Sequence, residues 1–257
     1  MTRGVRIAVI AGSALAVVLL LVIVIVVLTP SPATTPSGAS TRTSAPTPTP
    51  TPTPTRTPTP TFDKAQFSID DPSSLWVVVN KTRQLNPKNY APPLAALTFP
   101  GGEGQMRPEA ATALQQMFAD YQAQTGSQLT VVSPYRSYNA QVSVYAGWVA
   151  RLGQAQADRQ SARPGFSEHQ TGLAVDIDTA VSQAFGATPA GMWLAANSYR
   201  YGFIVRYPDG LEPVTGYEYE PWHFRYVGVA LATEMHTTGI QTLEQFFGLP
   251  DSPDYAG

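Results

Sequence analysis

The sequence predicts an α+β domain in which helices flank a small antiparallel sheet. Within residues 62–257, apolar residues recur at helical spacing in some segments and alternate at strand spacing in others. These helices and short strands follow one another without the regular strand–helix–strand order that builds a parallel sheet. The residues before position 62 belong to two other kinds of segment, so the remainder has the size of one ordinary domain.

The first of those segments is a predicted membrane anchor at residues 7–28. These 22 residues carry no charge and are numerous enough to cross a hydrocarbon core of about 30 Å as a helix. Arg3 and Arg6 precede the run and the next charge is Arg42, so the positive-inside bias places residues 1–6 in the cytoplasm. A cleaved signal peptide is the alternative, but its apolar region is typically shorter and ends in an A-x-A-like site. We therefore expect a single-pass protein of the cell membrane with its domain outside the cytoplasm.

The second segment, residues 29–61, is a linker composed almost entirely of Thr, Pro, Ser and Ala. Proline removes backbone donors, and this composition supplies no side chains for a core, so the segment cannot fold alone. Such Pro-rich chains prefer the extended polyproline II conformation. We expect a disordered stalk between the anchor and the domain.

The overall composition excludes several kinds of function. The chain has no cysteine, so disulfides, thiolate zinc ligands and cysteine nucleophiles are excluded. Its formal net charge is -2 and it has no basic run, which argues against a nucleic-acid surface. Any metal must be held by histidines and carboxylates.

Periodicity and turn residues predict the elements of the domain in order. They are a strand at 75–85, a helix at 107–124, a strand at 129–133, a helix at 139–160, a strand at 173–178, a helix at 191–202, strands at 203–207 and 222–227, and helices at 228–238 and 242–247.

Two of the helices have clear apolar stripes. The helix at 107–124 has a proline near its start and is followed by Gly126, which stops it. Its apolar residues at helical spacing are Ala111, Leu114, Met117, Phe118 and Tyr121. The second, at 139–160, has a shorter stripe formed by Val142, Tyr145, Val149 and Leu152. We expect both stripes to face the core.

The strand at 173–178 carries carboxylates where a buried strand normally excludes them. Alternation places Leu173, Val175 and Ile177 on one face and Ala174, Asp176 and Asp178 on the other. His169 lies just before Gly172, where the chain can turn, so His169 and Asp176 can converge. A hydrolytic zinc site needs three protein ligands and one open position, so a third ligand is required.

His223 is the natural candidate for that third ligand. It stands three residues after Glu220 in the segment 217–226. Strict alternation would place the two side chains on opposite faces, so they share a site only if Pro221 breaks the strand before Trp222. The spacing alone leaves this open.

Four segments together resemble one enzyme family. The stretch SEHQTGLAVD (167–176) matches the pattern S-x-H-x-x-G-x-A-x-D, and EPWH (220–223) matches E-x-W-H. The segments SPYRSYNAQ (133–141) and VVNKTRQLNPKNYAPPL (78–94) are similar to further regions of the same family. The chain is thereby identified as a member of the VanY-type D-alanyl-D-alanine carboxypeptidases, zinc peptidases related in fold to the hedgehog signalling domain.

The resemblance implies a role for each matching residue. It implies that His169, Asp176 and His223 bind one Zn²⁺ and that Glu220 is the general base for the attacking water. It also implies that Arg136 faces the developing oxyanion or the terminal carboxylate of the substrate. Two hydrogen-bonding partners of that carboxylate, Gln141 and Ser167, and two aromatic residues near the cleft, Tyr135 and Trp222, complete the set. Asp178 is expected to orient a ligand rather than to bind the metal.

The implied function is removal of the terminal D-amino acid from peptidoglycan stem peptides by a membrane-anchored monomer that does not bind nucleic acid. Two alternatives on the same wall peptides remain open, namely L,D-carboxypeptidase and dipeptidase activity. A third is a zinc-stabilised binding module without catalysis. Glu220 argues against the third, because a module that only binds has no need of a base beside its metal.

Overall fold

The computed structural model describes residues 62–178 and 182–256. Within those residues, no helix combines the length and the apolar composition needed to cross a bilayer. The predicted anchor at 7–28, the cytoplasmic segment before it and the linker at 29–61 lie outside the described residues.

The described chain alternates short strands and helices. In chain order these are β1 (Ala95–Ala96), β2 (Gln105–Met106), α1 (Pro108–Thr125), β3 (Val131–Ser133), α2 (Tyr138–Leu152), α3 (Gln154–Gln160), β4 (Ala174–Ile177), α4 (Pro189–Asn197), β5 (Phe203–Tyr207), α5 (Glu212–Thr215), β6 (Glu220–Tyr226), α6 (Val229–Thr238) and α7 (Leu243–Phe247). Short 3-10 turns at Glu168–Thr171, Gln183–Ala187 and Ser198–Tyr201 precede or follow three of these elements.

The principal sheet has four strands in the order β3-β4-β6-β5, all paired antiparallel. Strands β1 and β2 form a separate antiparallel pair. The predicted α+β class with a small antiparallel sheet is therefore confirmed. β4 and β6 are the two central strands, which places the segments that carry His169, Asp176 and His223 in the middle of the domain.

Two apolar clusters hold the sheet in place. The larger one joins the predicted apolar face of β4 to the stripe of α1, and its members include Leu173, Val175, Ile177, Leu114 and Met117. The smaller one lies around Trp76 and packs against α6 and α7. Helix α1 begins after Arg107 and ends at Gly126 in the left-handed conformation, as the sequence predicted. Because the apolar face of β4 is buried on α1, its polar face is free to build a site.

The strand predicted at 75–85 does not form. Residues 76–81 are buried, but a side chain takes the place of a neighbouring strand, because Arg225 Nη2 donates to the carbonyls of Leu75 and Val77 (3.0 and 2.8 Å). The amide of Val78 bonds to Ile69 outside the sheet. An apolar run predicts burial here, but its backbone pairing depends on residues about 150 positions away.

The helix predicted at 139–160 is two helices, and its stripe is wrong. Gly153, with a φ of 75°, separates α2 from α3. Val142 is 44 % exposed and Leu152 is 43 % exposed. The residue that α2 buries completely is the polar Gln141, because the inner side of the helix faces the site.

Candidate active site

His169 lies in the 3-10 turn Glu168–Thr171, just before β4. The turn ends at Gly172, which has a φ of 69°. A side chain there would be strained, so glycine lets the chain reverse and enter β4. The reversal brings the His169 ring to the polar face of β4, where its Nε2 lies 3.4 Å from Oδ2 of Asp176.

β6 carries Glu220 and His223 towards the same site because its pairing with β5 is irregular. Val205 pairs with Phe224, whereas Tyr207 pairs with Glu220, so three residues of β6 stand opposite one residue of β5. This bulge breaks the strict alternation that would have separated the two side chains.

Pro221 lies within the bulge. Its missing N–H is tolerated there because the regular ladder is already interrupted. Strand β6 therefore starts at Glu220 and continues through Pro221. The sequence had allowed a shared site only if the strand broke before Trp222, and no such break is present in β6. The outcome for the site is the same, because Oε2 of Glu220 lies 3.6 Å from Nδ1 of His223.

His169, Asp176 and His223 form a compact group of possible metal ligands. All three are buried, and one ligand atom from each lies within 4.8 Å of the others. His223 pairs directly across the sheet with Asp176, and its Nδ1 is 3.1 Å from Asp176 Oδ1. A tetrahedral zinc ion with bonds of about 2.0 to 2.2 Å separates adjacent ligand atoms by about 3.3 to 3.6 Å. The separations of Asp176 from His223 (3.1 Å) and from His169 (3.4 Å) lie close to this range.

The surroundings of Asp176 keep its carboxyl group ionised, which is the form that binds a metal. Burial alone would raise the pKa of Asp176, but the neighbouring His169 and His223 outweigh it and hold the pKa well below its usual range. Its Oδ1 is buried, and although His223 Nδ1 lies 3.1 Å away, no donor among the described residues meets it in hydrogen-bonding geometry. A buried anionic oxygen without a donor is satisfied by a cation.

Each histidine is held by a group on the far side of its ring. Nδ1 of His169 is 2.8 Å from the carbonyl oxygen of Pro134, which accepts a hydrogen bond from it and leaves Nε2 facing Asp176. Burial lowers the pKa of His169, which favours the neutral ring that a metal needs. His223 presents Nδ1 to Asp176 and Nε2 to Glu168.

Glu168 is a functional residue that the sequence analysis missed. It is 1 % exposed and accepts from Arg206 Nε (2.8 Å) and Arg225 Nη1 (2.7 Å). Its second oxygen, Oε2, lies 3.5 Å from Nε2 of His223, and neither of these buried atoms has a hydrogen-bond partner in the described chain. A carboxylate behind a ligating histidine fixes its tautomer and orientation. The sequence feature that could have pointed to Glu168 is its position between two motif residues, Ser167 and His169.

Glu220 has the environment of a general base. Burial raises its pKa to about 8, partly opposed by the attraction of His223 and Arg136. A base titrating near neutral pH is matched to proton transfer from water and to a leaving amine. A divalent cation bound by His169, Asp176 and His223 would lower the pKa of Glu220 and keep its carboxylate ionised.

Arg136 is a fixed cation beside the three possible metal ligands. Its Nη1 donates to Gln141 Oε1 (2.8 Å), its Nη2 donates to Ser133 Oγ (2.7 Å), and Nη2 lies 3.9 Å from Oδ2 of Asp176. Burial lowers the pKa of Arg136, which Asp176 partly offsets, but a guanidinium remains charged at neutral pH. The guanidinium is therefore oriented before any substrate binds.

Gln141 is not among the residues that line the cavity over these groups, and its predicted contact with the substrate stays a prediction. Its amide oxygen accepts from Arg136, and its amide nitrogen donates to the carbonyl of Ala162 (2.6 Å). The side chain is fully buried and hydrogen-bonded at both ends, which places it to orient Arg136. Ser133, which also holds Arg136, was not predicted.

A cavity of about 560 Å³ opens over these groups. Ser167 and Trp222 line it, as predicted, but Tyr135 does not. Its other walls come from α2, the loop before the 3-10 turn and the segment before β6, and include Val144, Trp148, Ser161, Tyr217 and Tyr219. Asp178 follows β4, and its predicted role in orienting a ligand stays a prediction.

Comparison with known proteins identifies the family. Residues 103–229 match the VanY family model, described as D-alanyl-D-alanine carboxypeptidase. The putative carboxypeptidase YodJ of Bacillus subtilis (strain 168) is 41% identical over 194 residues, which cover 70% of this chain and 69% of YodJ. The chain belongs to the VanY family of D-alanyl-D-alanine carboxypeptidases.

Solved structures place this VanY-family chain beside enzymes of two specificities. The structure of the LdcB LD-carboxypeptidase matches this chain with a TM-score of 0.64 at 40% identity. The match covers 70% of this chain and 88% of the LdcB chain. A variant of the vancomycin-resistance D,D-pentapeptidase VanY in complex with Zn(II) has a TM-score of 0.57 at 34% identity and covers 68% of this chain and 98% of its own. The predicted enzyme class and cofactor are confirmed: the chain is a metallo-carboxypeptidase, and its metal is zinc.

Proposed function

We propose that this VanY-family enzyme is a zinc-dependent D,D-carboxypeptidase that removes the terminal D-alanine from peptidoglycan stem peptides ending in D-Ala-D-Ala. The observation that carries the proposal is the position of Arg136, a pre-oriented cation in the same cavity as the zinc ligands and Glu220. A guanidinium beside a hydrolytic centre can bind the free carboxylate of a peptide whose end lies close to the scissile bond. That arrangement favours cleavage at a chain end.

The chain's own residues divide the chemistry. Arg136 binds the terminal carboxylate, and Glu220 takes the proton of the attacking water and returns it to the leaving amine. His169, Asp176 and His223 would hold zinc, which when bound would act as a Lewis acid towards the scissile carbonyl and would make water more acidic. Pro134 and Glu168 keep the two imidazoles in the orientation that binds the metal.

L,D-carboxypeptidase activity is the second candidate. It is favoured by the likeness to LdcB, which has both the higher TM-score and the higher identity of the two solved structures. It uses the same chemistry and differs in the residue before the scissile bond. We also propose, from the sequence alone, that the domain works outside the cytoplasm, tethered by residues 7–28.

Mass spectrometry of the products from purified residues 62–257 with zinc distinguishes these candidates. D,D-activity converts a stem pentapeptide into the tetrapeptide, L,D-activity converts the tetrapeptide into the tripeptide, and dipeptidase activity splits D-Ala-D-Ala itself. We expect the first product to form fastest. Absence of all three products from zinc-loaded protein would favour a binding module over an enzyme.

The variant Glu220→Gln tests the base. It keeps the size of the side chain but removes the proton acceptor, so we expect turnover to fall by about 10²- to 10⁴-fold with zinc content unchanged. Asp176→Asn is the matched variant, because it makes the same chemical change at a ligand and should lose zinc as well as activity. Near-parental turnover in Glu220→Gln would contradict the assignment of the base.

A further inference from the structure

Two walls of the cavity are held from behind by one segment, Ser252–Tyr255, which we call the Tyr255 clasp. The hydroxyl of Tyr255 accepts from the backbone amide of Arg163 (2.8 Å) and lies 3.2 Å from the hydroxyl of Tyr217. Tyr217 lines the cavity directly. Arg163 begins the loop that continues through Ser167 into the 3-10 turn of the zinc ligand His169. A single phenol therefore joins both walls.

The ring of Tyr255 reinforces these contacts. The guanidinium of Arg163 lies 4.1 Å from the centre of the ring, and Phe166 packs edge-on against it at 5.1 Å. Both partners belong to the loop before the zinc ligand. Cation–π and edge-to-face aromatic contacts each favour one relative orientation, so the loop is fixed in position and in angle.

The rest of the clasp is tied to parts of the domain outside the cavity. Ser252 donates its amide to the carbonyl of Val214 (2.8 Å), and its hydroxyl oxygen accepts from the amide of Thr82 (3.1 Å). Lys81, which is 2 % exposed, donates to the carbonyl of Pro253 (2.9 Å). The clasp is thus anchored at one end and contacts the cavity walls at the other.

Lys81 also links the two tyrosines of this arrangement. Its Nζ lies 5.0 Å from the ring centre of Tyr217 and 5.6 Å from that of Tyr255. Burial lowers the pKa of Lys81, and nearby carboxylates, with Asp254 first, partly restore it. A buried ammonium between two aromatic faces holds them at a fixed separation.

The contact reaches the zinc ligands through packed rings. Tyr217 lies 4.6 Å from Tyr207, and Tyr207 lies 4.9 Å from the ring of His223. The zinc ligands themselves are oriented by Glu168 and a backbone carbonyl, which do not depend on Tyr255. Displacement of the clasp should therefore alter the walls more than the metal site.

We propose that Tyr255 is a positioning residue for the substrate, acting through the loop from Arg163 to Ser167 and through Tyr217. The proposal rests on the proposed function, because it takes the cavity as the site of the wall peptide. Tyr255→Phe keeps the ring and removes the hydroxyl that joins the two walls. Since one hydrogen bond is worth about 0.5 to 1.5 kcal/mol, we expect KM for the stem peptide to rise about two- to thirteenfold, with kcat and zinc affinity changed less than about twofold.

Tyr201→Phe is the matched control. It removes a tyrosine hydroxyl that donates to Asp120 (2.8 Å) on α1, outside the residues that line the cavity. We expect it to lower stability to a similar degree and to leave KM unchanged at a temperature where both variants are fully folded. A merely structural role for Tyr255 predicts the same kinetics in both variants.

Hydrogen exchange of the zinc-loaded proteins gives a second readout that needs no catalysis. The amide of Arg163 should exchange faster in Tyr255→Phe, together with the peptide that contains the loop to Ser167, and neither should change in Tyr201→Phe. Unchanged KM and unchanged exchange in Tyr255→Phe, or an equal rise in KM in Tyr201→Phe, would overturn the inference. If the parent enzyme cleaves no wall peptide, the proposed function fails independently of this inference. The rate of hydrogen exchange in the loop from Arg163 to Ser167 then decides whether Tyr255 positions the cavity wall.

Discussion

Glu168 shows how strictly the site constrains a single residue. An unpaired carboxylate with no access to water costs several kcal/mol, yet Glu168 is ionised, because Arg206 and Arg225 together outweigh the effect of burial and hold its pKa well below the usual range. The two arginines occupy one of its oxygens and leave the other facing His223. The charge that the arginines stabilise is thereby directed at a zinc ligand.

Glu168→Gln should weaken zinc binding by about 10- to 100-fold, because a neutral amide holds the ring of His223 less firmly than a carboxylate. Competition with a chelator of known zinc affinity measures the effect. Glu244→Gln is the control: Glu244 also binds Arg206, with distances of 2.7 and 2.9 Å, but no contact joins it to His223. Both variants should lose stability, and only the first should lose zinc affinity.

At the scale of elements, α2 differs most from its pattern. Its apolar residues suggested an inward stripe, but two of the four stripe residues, Val142 and Leu152, are exposed. The inward position belongs to Gln141, whose amide connects Arg136 to the loop at Ala162. The helix thus orients a cation of the site and contributes one fully buried residue to the domain.

Leu152→Ala should therefore cost less than about 0.5 kcal/mol in the free energy of unfolding, as exposed substitutions usually do. The same substitution in α1, Leu114→Ala, should cost about 2 to 5 kcal/mol, because Leu114 is fully buried in the larger core cluster. Urea unfolding of the two variants measures the difference. Equal losses would mean that α2 packs through its apolar stripe after all.

At the scale of the whole molecule, a buried network of charges joins the site to distant parts of the chain. Arg206 on β5 lies between Glu168 and Glu244, and Glu244 on α7 also accepts from Asn80 (2.9 Å). Arg225 extends the network to the backbone at Leu75. The network connects the sheet, α7 and the segment 75–85 through polar contacts in place of apolar packing.

Acid should weaken this network in a defined pH range. Burial would raise the pKa of Glu244, but Arg206 and Asn80 outweigh it, so the folded-state pKa lies below the ordinary 4.5. An acid with a lowered folded-state pKa stabilises the protein above its unfolded pKa, and this contribution is lost as pH falls below about 4.5.

Glu244→Gln should accordingly be less stable than the parent by about 3 to 5 kcal/mol at pH 7, since it leaves a buried arginine with one carboxylate fewer. The gap should narrow below pH 4.5, where the parent loses the same contribution. Urea unfolding of metal-free parent and variant between pH 3 and 7 measures it. A gap that stays constant with pH would show that Glu244 is not a stabilising carboxylate.

The sequence by itself determined the residues that have only local requirements. The alternation of β4 assigned Leu173, Val175 and Ile177 to the core and Asp176 to the other face, and the stripe of α1 predicted its packing. The absence of cysteine limited the zinc ligands to histidine and carboxylate, and ordered motifs identified the family.

Only the tertiary structure decided what depends on contacts between distant segments. The bulge of β6 opposite Arg206 brings Glu220 and His223 to one side, and no spacing along the chain shows which strand will pair there. Gln141 and Glu168 are polar residues that sequence patterns place in water, yet both are buried because partners 5 to 57 positions away satisfy their charges and hydrogen bonds. Tertiary hydrogen bonds compensate the cost of removing a polar group from water, and they exist only once the chain has folded.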